Sequence, residues 1–528
     1  MESRLALAMA LSLGILVGFQ VLFPQHKTDP QSAGDAPAPV VESGSAVPGQ
    51  PEVAVAAEPV VSDPGAIVEI QTPLFRARLA SRGGRLVGFE LADYKQDATA
   101  GSGPYDLIRR DGTAPLALLW RTEAGTVVDD RSVLYEISST AAEARPGQPA
   151  VVTMRGQTSS GATITKTLTI PADSYFLDYK VSVEGLASTP LAVGWARRLH
   201  PHKAQADLEG AVGYFDGKLH SFDASTLEET EVVEGQASWA GYAEHYFLAA
   251  YVPRKREPLK LVASASEGSG QSTLWTNAPV TTLDYGLYVG PKSFSDLEKA
   301  DRDLVQAVDL GWFWFVAKPL LLALRMIQGV VGNYGWAIIL LTVAVRVAFY
   351  PVNKKQIEAM KGMQRIQPEV KKVQERYADD REKMNAEMME LYRRHKVNPL
   401  AGCLPMLVQL PVFIGLYNVL LQSIELRHAP FVGWMHDLSQ PDRLGSLAIP
   451  FVEPAGIPVM TLLMGASMIL QQKMTPSTAD PAQQRIMMIM PVVFTVMFVN
   501  FPAGLVLYWL SNNVLSIAQQ WLSDRQSN

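Results

Sequence analysis

The chain has 528 residues, of which 48% are hydrophobic, and its formal net charge is -6 at pH 7. This length allows more than one domain, and the apolar composition means that a membrane protein must be considered before a soluble one. The acidic balance argues against nucleic-acid binding by the chain as a whole. A single cysteine, Cys403, excludes an intramolecular disulfide and a cysteine-rich metal site. Because the eight histidines also lack ligand spacing, we expect no metal and no cofactor.

The N-terminal region, residues 1–23, contains the apolar run Leu5–Phe23 behind Arg4. The run is longer than a signal-peptide core, and no small-x-small cleavage site follows it. We therefore predict an uncleaved transmembrane helix. Residues 24–64 contain eight prolines and are rich in Ala, Gly and Ser, a composition typical of a flexible linker.

Residues 65–300 contain short runs with alternating apolar and polar residues, the clearest being Thr163–Ile170 and Tyr175–Val183. Period-two alternation separated by Gly, Pro and Asp predicts antiparallel strands, and this many in succession indicates an all-β sandwich. Glu244 and Asp284 are carboxylates such as a glycosidase uses in pairs, but the sequence does not determine the distance between them. We interpret the domain as a binding or spacing module.

Residues 301–330 are predicted to form an interfacial amphipathic helix. Four aromatic residues, Trp312 to Phe315, precede Lys318, and Leu-rich turns follow. A helix with aromatic residues and one apolar face lies in the membrane interface. Arg325 disfavours a complete crossing of the bilayer.

The segment near 335–352 is apolar enough to enter a bilayer but contains Arg346, with Thr342 one helical turn earlier. Residues at i and i+4 share a helix face. An arginine at membrane depth costs from ~3 to more than ~10 kcal/mol, depending on how the cost is measured. Arg346 therefore either pairs with a buried carboxylate, reaches the interface, or lines a functional cavity.

Residues 353–400 are predicted to form a helical hairpin outside the membrane. Between Lys354 and Lys396 there are 12 basic and 8 acidic residues. Apolar residues recur at amphipathic helical spacing, and Asp379-Asp380 marks the break between two helices. A solvated charged hairpin is the alternative to a binding surface, but the apolar stripe needs a partner. The candidate contact residues are Lys354, Lys355, Met360, Met363, Arg365, Met384 and Met388.

Four further apolar segments are predicted transmembrane helices, near 403–424, 455–472, 486–500 and 503–521. The third is short, so its helix either starts earlier, near Pro481, or lies in a thinned bilayer. The loop 425–457 has two basic residues against the twelve of the hairpin. The positive-inside rule therefore places the hairpin and both termini in the cytoplasm and the β domain on the other side.

The predicted spans outside 335–352 contain no Asp or Glu, so Arg346 lacks an intramembrane counter-ion in its own chain. Polar side chains on the other helices favour a hydrated cavity within the bundle. Its candidate residues are Thr342, Arg346, Gln409, Phe413, Tyr417, Tyr508, Ser511 and Asn512. A stripe at i, i+4 and i+8, formed by Met460, Met464 and Met468, is a candidate hydrophobic slide for an apolar segment; ordinary lipid-facing packing is the alternative.

Several stretches resemble the YidC family of membrane-protein insertases in its long Gram-negative form. The match covers the whole chain except the linker and is most specific in the last 200 residues. The stretches that carry it are Tyr288–Lys292 (YVGPK), Tyr334–Pro351, Lys396–Pro405 (KVNPLAGCLP), Gln409–Pro411 (QLP), Trp434–Ser439 (WMHDLS) and Phe501–Trp509 (FPAGLVLYW).

The resemblance implies an α-helical polytopic membrane protein with six transmembrane helices, of which five form a core around a hydrophilic groove open to cytoplasm and lipid. It also implies a periplasmic all-β supersandwich domain. The family's arginine falls on Arg346 and its groove positions on Thr342, Gln409, Phe413 and Tyr508. Such a protein is not an enzyme and resides in the bacterial inner membrane.

The implied partners are nascent membrane proteins, the Sec translocon and membrane lipids, with no specific nucleic acid. The tail after Trp521 has Arg525 as its only basic residue. Contact with the ribosome or signal recognition particle therefore falls to the cytoplasmic hairpin. The alternative function is a secondary transporter or channel with a sugar-binding periplasmic domain.

Overall fold

The computed structural model describes residues 64–98, 101–108, 115–186, 188–198, 209–266, 269–377, 380–395, 404–450, 452–474 and 481–525. The predicted N-terminal helix, residues 1–23, and residues 24–63 of the linker lie outside these ranges. Within them, a β-rich region is followed by a helical region.

The β-rich region contains the following strands: β1 (Ile67–Gln71), β2 (Phe75–Ala80), β3 (Arg85–Lys95), β4 (Pro104–Asp106), β5 (Ala117–Arg121), β6 (Val127–Asp129), β7 (Tyr135–Ser139), β8 (Ala150–Gln157), β9 (Thr163–Ile170), β10 (Phe176–Glu184), β11 (Leu191–Arg198), β12 (Gly210–Phe215), β13 (Lys218–Asp223), β14 (Glu231–Ala243), β15 (Phe247–Pro253), β16 (Pro258–Ser266), β17 (Ser269–Thr276) and β18 (Thr282–Pro291).

The strands form two antiparallel sheets. One has four strands in the order β1-β2-β3-β4, and the other has fourteen. The path through the larger sheet is β6-β5-β11-β17-β16-β14-β15-β18-β10-β9-β8-β7, with β12 paired to β13 and β14. The inner faces pack into a continuous hydrophobic core. The predicted β-sandwich domain is therefore confirmed.

Strand β9 illustrates how the sequence specifies this sheet. Its residues alternate between half-buried and buried, and the apolar side chains of Ile164, Leu168 and Ile170 face the core. The same inward face carries Lys166, which is 0% exposed. Its ammonium lies 2.5 Å from a carboxylate oxygen of Asp130. The strand pattern is thus kept even where a charged residue occupies a core position.

The helical region contains α1 (Phe294–Ala300), α2 (Trp314–Val331), α3 (Tyr334–Ala348), α4 (Tyr350–Arg376), α5 (Arg381–Arg394), α6 (Leu404–Gln422), α7 (Val459–Met474), α8 (Pro481–Met497) and α9 (Ala503–Arg525). Short 3-10 turns lie at Arg302–Ala307, Ile424–Leu426 and Phe498–Asn500. The predicted hairpin corresponds to α4 and α5, and Asp380 caps α5 by accepting a hydrogen bond from the Lys383 amide.

Three predicted helix boundaries change. The segment near 335–352 is divided at Phe349, where α3 ends and α4 begins. Helix α7 begins at Val459 instead of residue 455 because the Asp442 carboxylate accepts from the Met460 amide at 2.7 Å. Helix α8 begins at Pro481, as one of the two alternatives predicted.

Helix α2 corresponds to the segment for which an interfacial helix was predicted. Within the part of the chain that the structure describes, it is the one helix long and apolar enough to cross a membrane by length and composition, with a mean hydropathy of 1.4. Shorter apolar helices lie at Tyr334–Ala348, Gln409–Gln422 and Met487–Asn500. The interfacial position of α2 stays a prediction.

Hydrogen bonds join the β-rich region to the segment that follows α6. The guanidinium of Arg427 donates to the carbonyls of Lys95 and Gln96 at 2.8 and 2.9 Å. It also lies over the ring of Tyr105, 5.0 Å from its centroid. The β-rich region therefore contacts the segment that follows α6 through specific polar groups.

Candidate functional site

Helix α3 carries Arg346 and is fixed at its start by a cap. The Asn333 side chain accepts from the amide of Trp336 at 3.2 Å, which satisfies one of the free N–H groups of the first turn. Further along, Thr342 is 1% exposed, and its hydroxyl donates to the carbonyl of Ile338 at 2.7 Å. Thr342 thus lies one turn from Arg346 but uses its hydroxyl within α3.

Arg346 is half-buried and reaches across to α9. Its Nε donates to Asn512 Oδ1 at 3.1 Å, and its Nη2 donates to the Asn512 carbonyl at 2.9 Å. Nη2 also contacts Ser516 Oγ, and Nη1 lies 3.5 Å from Gln519 Oε1. All four acceptors are uncharged. The structure therefore brings the predicted Asn512 to the cation, together with Ser516 and Gln519, which sequence reasoning missed.

The two missed residues lie on the same helix face as the predicted Asn512. Asn512, Ser516 and Gln519 occupy positions i, i+4 and i+7 of α9, which share one helix face. The spacing of polar residues in this apolar helix is therefore a signal that could have identified Ser516 and Gln519. The identity of the facing helix, however, depends on tertiary packing.

A second polar contact joins α6 to α9. The Gln409 amide donates to the Tyr508 hydroxyl at 3.0 Å, and Tyr508 is 2% exposed. The Phe413 ring stacks near the Tyr508 ring with centroids 6.5 Å apart. These three predicted residues are therefore brought together, and Tyr508 lies one helical turn before Asn512 on α9.

Two other predicted residues contribute less directly. Tyr417 is 9% exposed, and its ring lies 6.3 Å from that of Phe501 at the turn before α9. Ser511 is half-buried. Trp509, which was not predicted, packs edge-on against Phe413 at 4.7 Å and against Phe498 at 4.9 Å. An aromatic cluster thus stabilises one end of the α6–α9 contact.

The methionine stripe on α7 does not form an accessible slide. Met460 and Met464 are 5% and 0% exposed, and Met468 is half-buried against the core. This burial contradicts the prediction that they offer an apolar surface to a passing segment. Helical spacing defined the shared face correctly, but that face packs inward. The exposed apolar residues of α7 are instead Leu462, Leu463, Ile469 and Leu470.

The hairpin formed by α4 and α5 has a small core of its own. Ile366, Val370, Leu391 and Tyr392 are buried there, and Met363 and Met388 pack against them. The apolar stripe thus finds its partner within the hairpin. Of the other predicted contact residues, Met384 is half-buried, Lys354 and Arg365 are exposed, and the side chains of Lys355 and Met360 lie outside the described set.

Comparison with known proteins connects this site to a family. The family described as 60Kd inner membrane protein matches residues 326–528, and the family described as YidC periplasmic domain matches residues 67–323. A membrane protein insertase YidC of Pelobacter propionicus is 38% identical over 554 aligned positions, covering 100% of both chains. That of Nitratidesulfovibrio vulgaris is 39% identical and covers 98% of both. The chain belongs to the YidC family.

A solved structure described as an active YidC insertase with its first transmembrane domain resolved is also similar, with a TM-score of 0.37 and 20% identity. It covers 88% of this chain and 95% of that one. The match to the YidC periplasmic domain covers the β-rich region together with α1 and the first part of α2, and the match to the inner membrane protein covers the rest of the helical region. Arg346, Gln409 and the polar face of α9 all lie within the match to the inner membrane protein.

Proposed function

We propose that this chain is a membrane protein insertase and folding chaperone that works without breaking a covalent bond. The observation that carries the proposal is the environment of Arg346. Its guanidinium is half-buried within the helical region and bonded to uncharged groups of α9. A buried cation without a carboxylate partner is costly, and such a residue in a membrane protein is more often functional than structural.

In the proposed mechanism, α3, α6 and α9 border a hydrophilic groove open to the cytoplasm and the lipid. Arg346 attracts acidic residues in the translocated segment of a client, by which we mean a membrane protein undergoing insertion. The attraction is effective because charges interact more strongly where the effective dielectric constant is low. The groove thereby shortens the hydrophobic barrier that the polar segment must cross.

The neighbouring residues have separate roles in this mechanism. Gln409 and Tyr508, which are hydrogen-bonded to each other, supply neutral polar partners near the path of the client. Phe413 adds an aromatic surface beside them. The apolar segment of the client leaves along exposed apolar residues such as Leu462 and Leu463, which are 52% and 49% exposed.

The α4–α5 hairpin is proposed to be cytoplasmic and to receive the nascent chain from the ribosome or signal recognition particle. Its exposed basic residues, including Lys354 and Arg365, provide the contact surface. Both termini are proposed to be cytoplasmic. The protein is proposed to act alone or with the Sec translocon.

Substitution of Arg346 tests this proposal. Arg346→Lys should insert a client with an acidic translocated tail at close to the wild-type rate, since a cation remains. Arg346→Ala and Arg346→Glu should lower that rate by about tenfold or more. Arg525→Glu, an equal change of charge at the exposed end of α9, serves as the control and should have little effect. Full activity of Arg346→Glu would contradict the electrostatic mechanism.

Site-specific photocrosslinking tests the location of the groove. Probes at Gln409 and Phe413 should capture an arrested nascent client. A probe at Val514, which is 52% exposed and lies two residues after Asn512, points away from the Arg346 side of α9 and should capture lipid-facing neighbours instead. Equal capture of the client from all three positions would argue against a defined groove.

A further inference from the structure

Arg346 is held in place before any client arrives. One face of α9 supplies all four described acceptors of its guanidinium, through the side chains of Asn512, Ser516 and Gln519 and the Asn512 carbonyl. We call these three residues the α9 stripe. The Asn512 carbonyl also accepts from Ser516 Oγ at 2.8 Å, so the stripe is itself connected.

The rotation of α9 is fixed by the residues that follow two members of the stripe. Asn513 is 4% exposed, and its amide donates to Ser467 Oγ of α7 at 3.0 Å. The amide of Gln520 donates to the Met474 carbonyl at the end of α7, at 2.7 Å. Asn512 and Gln519 therefore face α3 while their successors bond to α7. The stripe is a fixed surface rather than a set of free side chains.

We propose that the α9 stripe is a holding site for the Arg346 guanidinium, and that a client must displace it in order to be recognised. The proposal rests on the insertase function proposed above and deepens it by naming the residues that set the selectivity of Arg346 for acidic clients. A client acceptor that is no better than an amide or a hydroxyl only replaces one uncharged acceptor of the guanidinium by another. A carboxylate adds the attraction between opposite charges to the hydrogen bonds that the guanidinium donates.

The stripe therefore acts as a threshold for specificity. Carboxylates exceed it because they accept two parallel hydrogen bonds from a guanidinium and add charge attraction. Neutral polar segments do not bind the guanidinium more strongly than the stripe does, although they would bind an Arg346 that the stripe did not hold. Ser516 and Gln519 are thus specificity-determining positioning residues, which act on the client through Arg346.

The test uses the full-length protein and three clients that differ only in the translocated tail, which carries Asp, Asn or Ala at the same positions. Crosslinking yield is measured at limiting insertase. In the wild type, the Asn client should behave like the Ala client, and the Asp client should exceed both. In Ser516→Ala combined with Gln519→Leu, the yield of the Asn client relative to the Ala client should rise by about fivefold, while that of the Ala client stays constant.

Three controls separate this effect from a change in folding. Val514→Ala changes an exposed side chain of α9 that points away from the guanidinium and should leave the Asn-to-Ala ratio at the wild-type value. The single variant Ser516→Thr retains a hydroxyl acceptor and leaves Gln519 in place, so it should also keep that ratio. Adding Arg346→Ala to the double variant should abolish the gain of the Asn client, because the stripe acts through Arg346.

The outcomes distinguish the two proposals. If Arg346→Ala leaves the Asp client unaffected, the electrostatic insertase mechanism fails. If Arg346→Ala impairs the Asp client but the stripe variants leave the Asn-to-Ala ratio unchanged, the holding site alone is overturned. A rise of the Asn and Ala clients by the same factor would also overturn it, because that result reflects a general loosening of α9.

Discussion

Two cations that lie away from bulk water, Lys166 in the β-rich region and Arg346 in the helical region, are satisfied in different ways. Lys166 in the periplasmic β domain is 0% exposed and lies 2.5 Å from the Asp130 carboxylate. It also donates to the carbonyls of Gly83, Gly84 and Leu116, at 3.0, 3.2 and 2.6 Å. Arg346 in the membrane region is half-buried and has uncharged acceptors.

This contrast separates a structural cation from a functional one. The surroundings of Lys166 satisfy both its charge and its hydrogen bonds, and Tyr135 completes them by donating to Asp130 at 2.6 Å. Burial lowers the pKa of Lys166, and the Asp130 carboxylate opposes that effect. For Arg346, the described contacts satisfy hydrogen bonding but not charge. Loss of Lys166 should therefore affect folding, whereas loss of Arg346 should affect insertion.

The largest effect is expected for Lys166→Met. The substitution leaves the Asp130 carboxylate buried without its counter-ion, which costs about 3–5 kcal/mol of unfolding free energy. Chemical unfolding of the detergent-solubilised protein measures this loss. Insertion activity per folded molecule should stay at the wild-type level.

Lys180→Ala is the matched control for that prediction. Lys180 forms a surface ion pair with Asp284 at 3.4 Å, and its side chain is 62% exposed. Exposed pairs contribute about 0–1 kcal/mol, so the change should be small. Normal stability of Lys166→Met together with impaired insertion would reverse the assignment of the two cations.

An intermediate loss of stability is expected on substitution of Arg443. This arginine also has uncharged acceptors, so uncharged acceptors alone do not identify a functional arginine. This side chain joins the loop before α7 to the turn between α8 and α9. Its nitrogens donate to the carbonyls of Asp442, Glu453, Pro454 and Val499 and to Asn500 Oδ1, at distances of 2.7–3.0 Å. Five hydrogen bonds use the whole donor capacity of a guanidinium, so Arg443 has none left for a client.

Arg443→Ala should therefore destabilise the protein by about 2–3 kcal/mol, with faster hydrogen exchange at the turn before α9. Arg443→Lys should recover only part of this loss, because an ammonium has three donors and lacks the planar fork. Both variants should retain the preference for acidic clients. A selective loss of acidic clients in Arg443→Ala would place this arginine in the recognition site.

A smaller effect is expected for Tyr508→Phe. It removes the hydroxyl that accepts from Gln409 but keeps the ring that packs near Phe413. Loss of one neutral hydrogen bond corresponds to about 1 kcal/mol, so insertion should fall by several-fold. The reduction should be equal for acidic and neutral clients, since no charge is involved. A selective effect on acidic clients would show that Tyr508 acts through Arg346.

The sequence predicted those parts of the structure that depend on local pattern. Alternation in Thr163–Ile170 predicted a strand whose apolar residues face the core, and that strand is present. Asp379-Asp380 predicted the break of the hairpin, where Asp380 caps α5. The absence of acidic residues from the predicted spans indicated an uncompensated Arg346, and its described acceptors are uncharged.

The sequence did not predict which face of an amphipathic helix is buried. The spacing of Met460, Met464 and Met468 defines one face, but lipid-facing and core-facing stripes have the same period. The burial of Met460 and Met464 is decided by packing against other helices. For the same reason, Ser516 and Gln519 were missed, since only the packing of α9 against α3 brings them to Arg346.

The most direct test of the central claim exchanges charge between protein and client. Insertion is measured for wild type and Arg346→Glu with clients whose translocated tail carries either acidic or basic residues. Wild type should prefer the acidic client and Arg346→Glu should prefer the basic one, so that the ratio of acidic to basic client inserted falls by about tenfold or more in the variant. An unchanged preference for the acidic client in Arg346→Glu would contradict the claim that Arg346 recognises clients by charge.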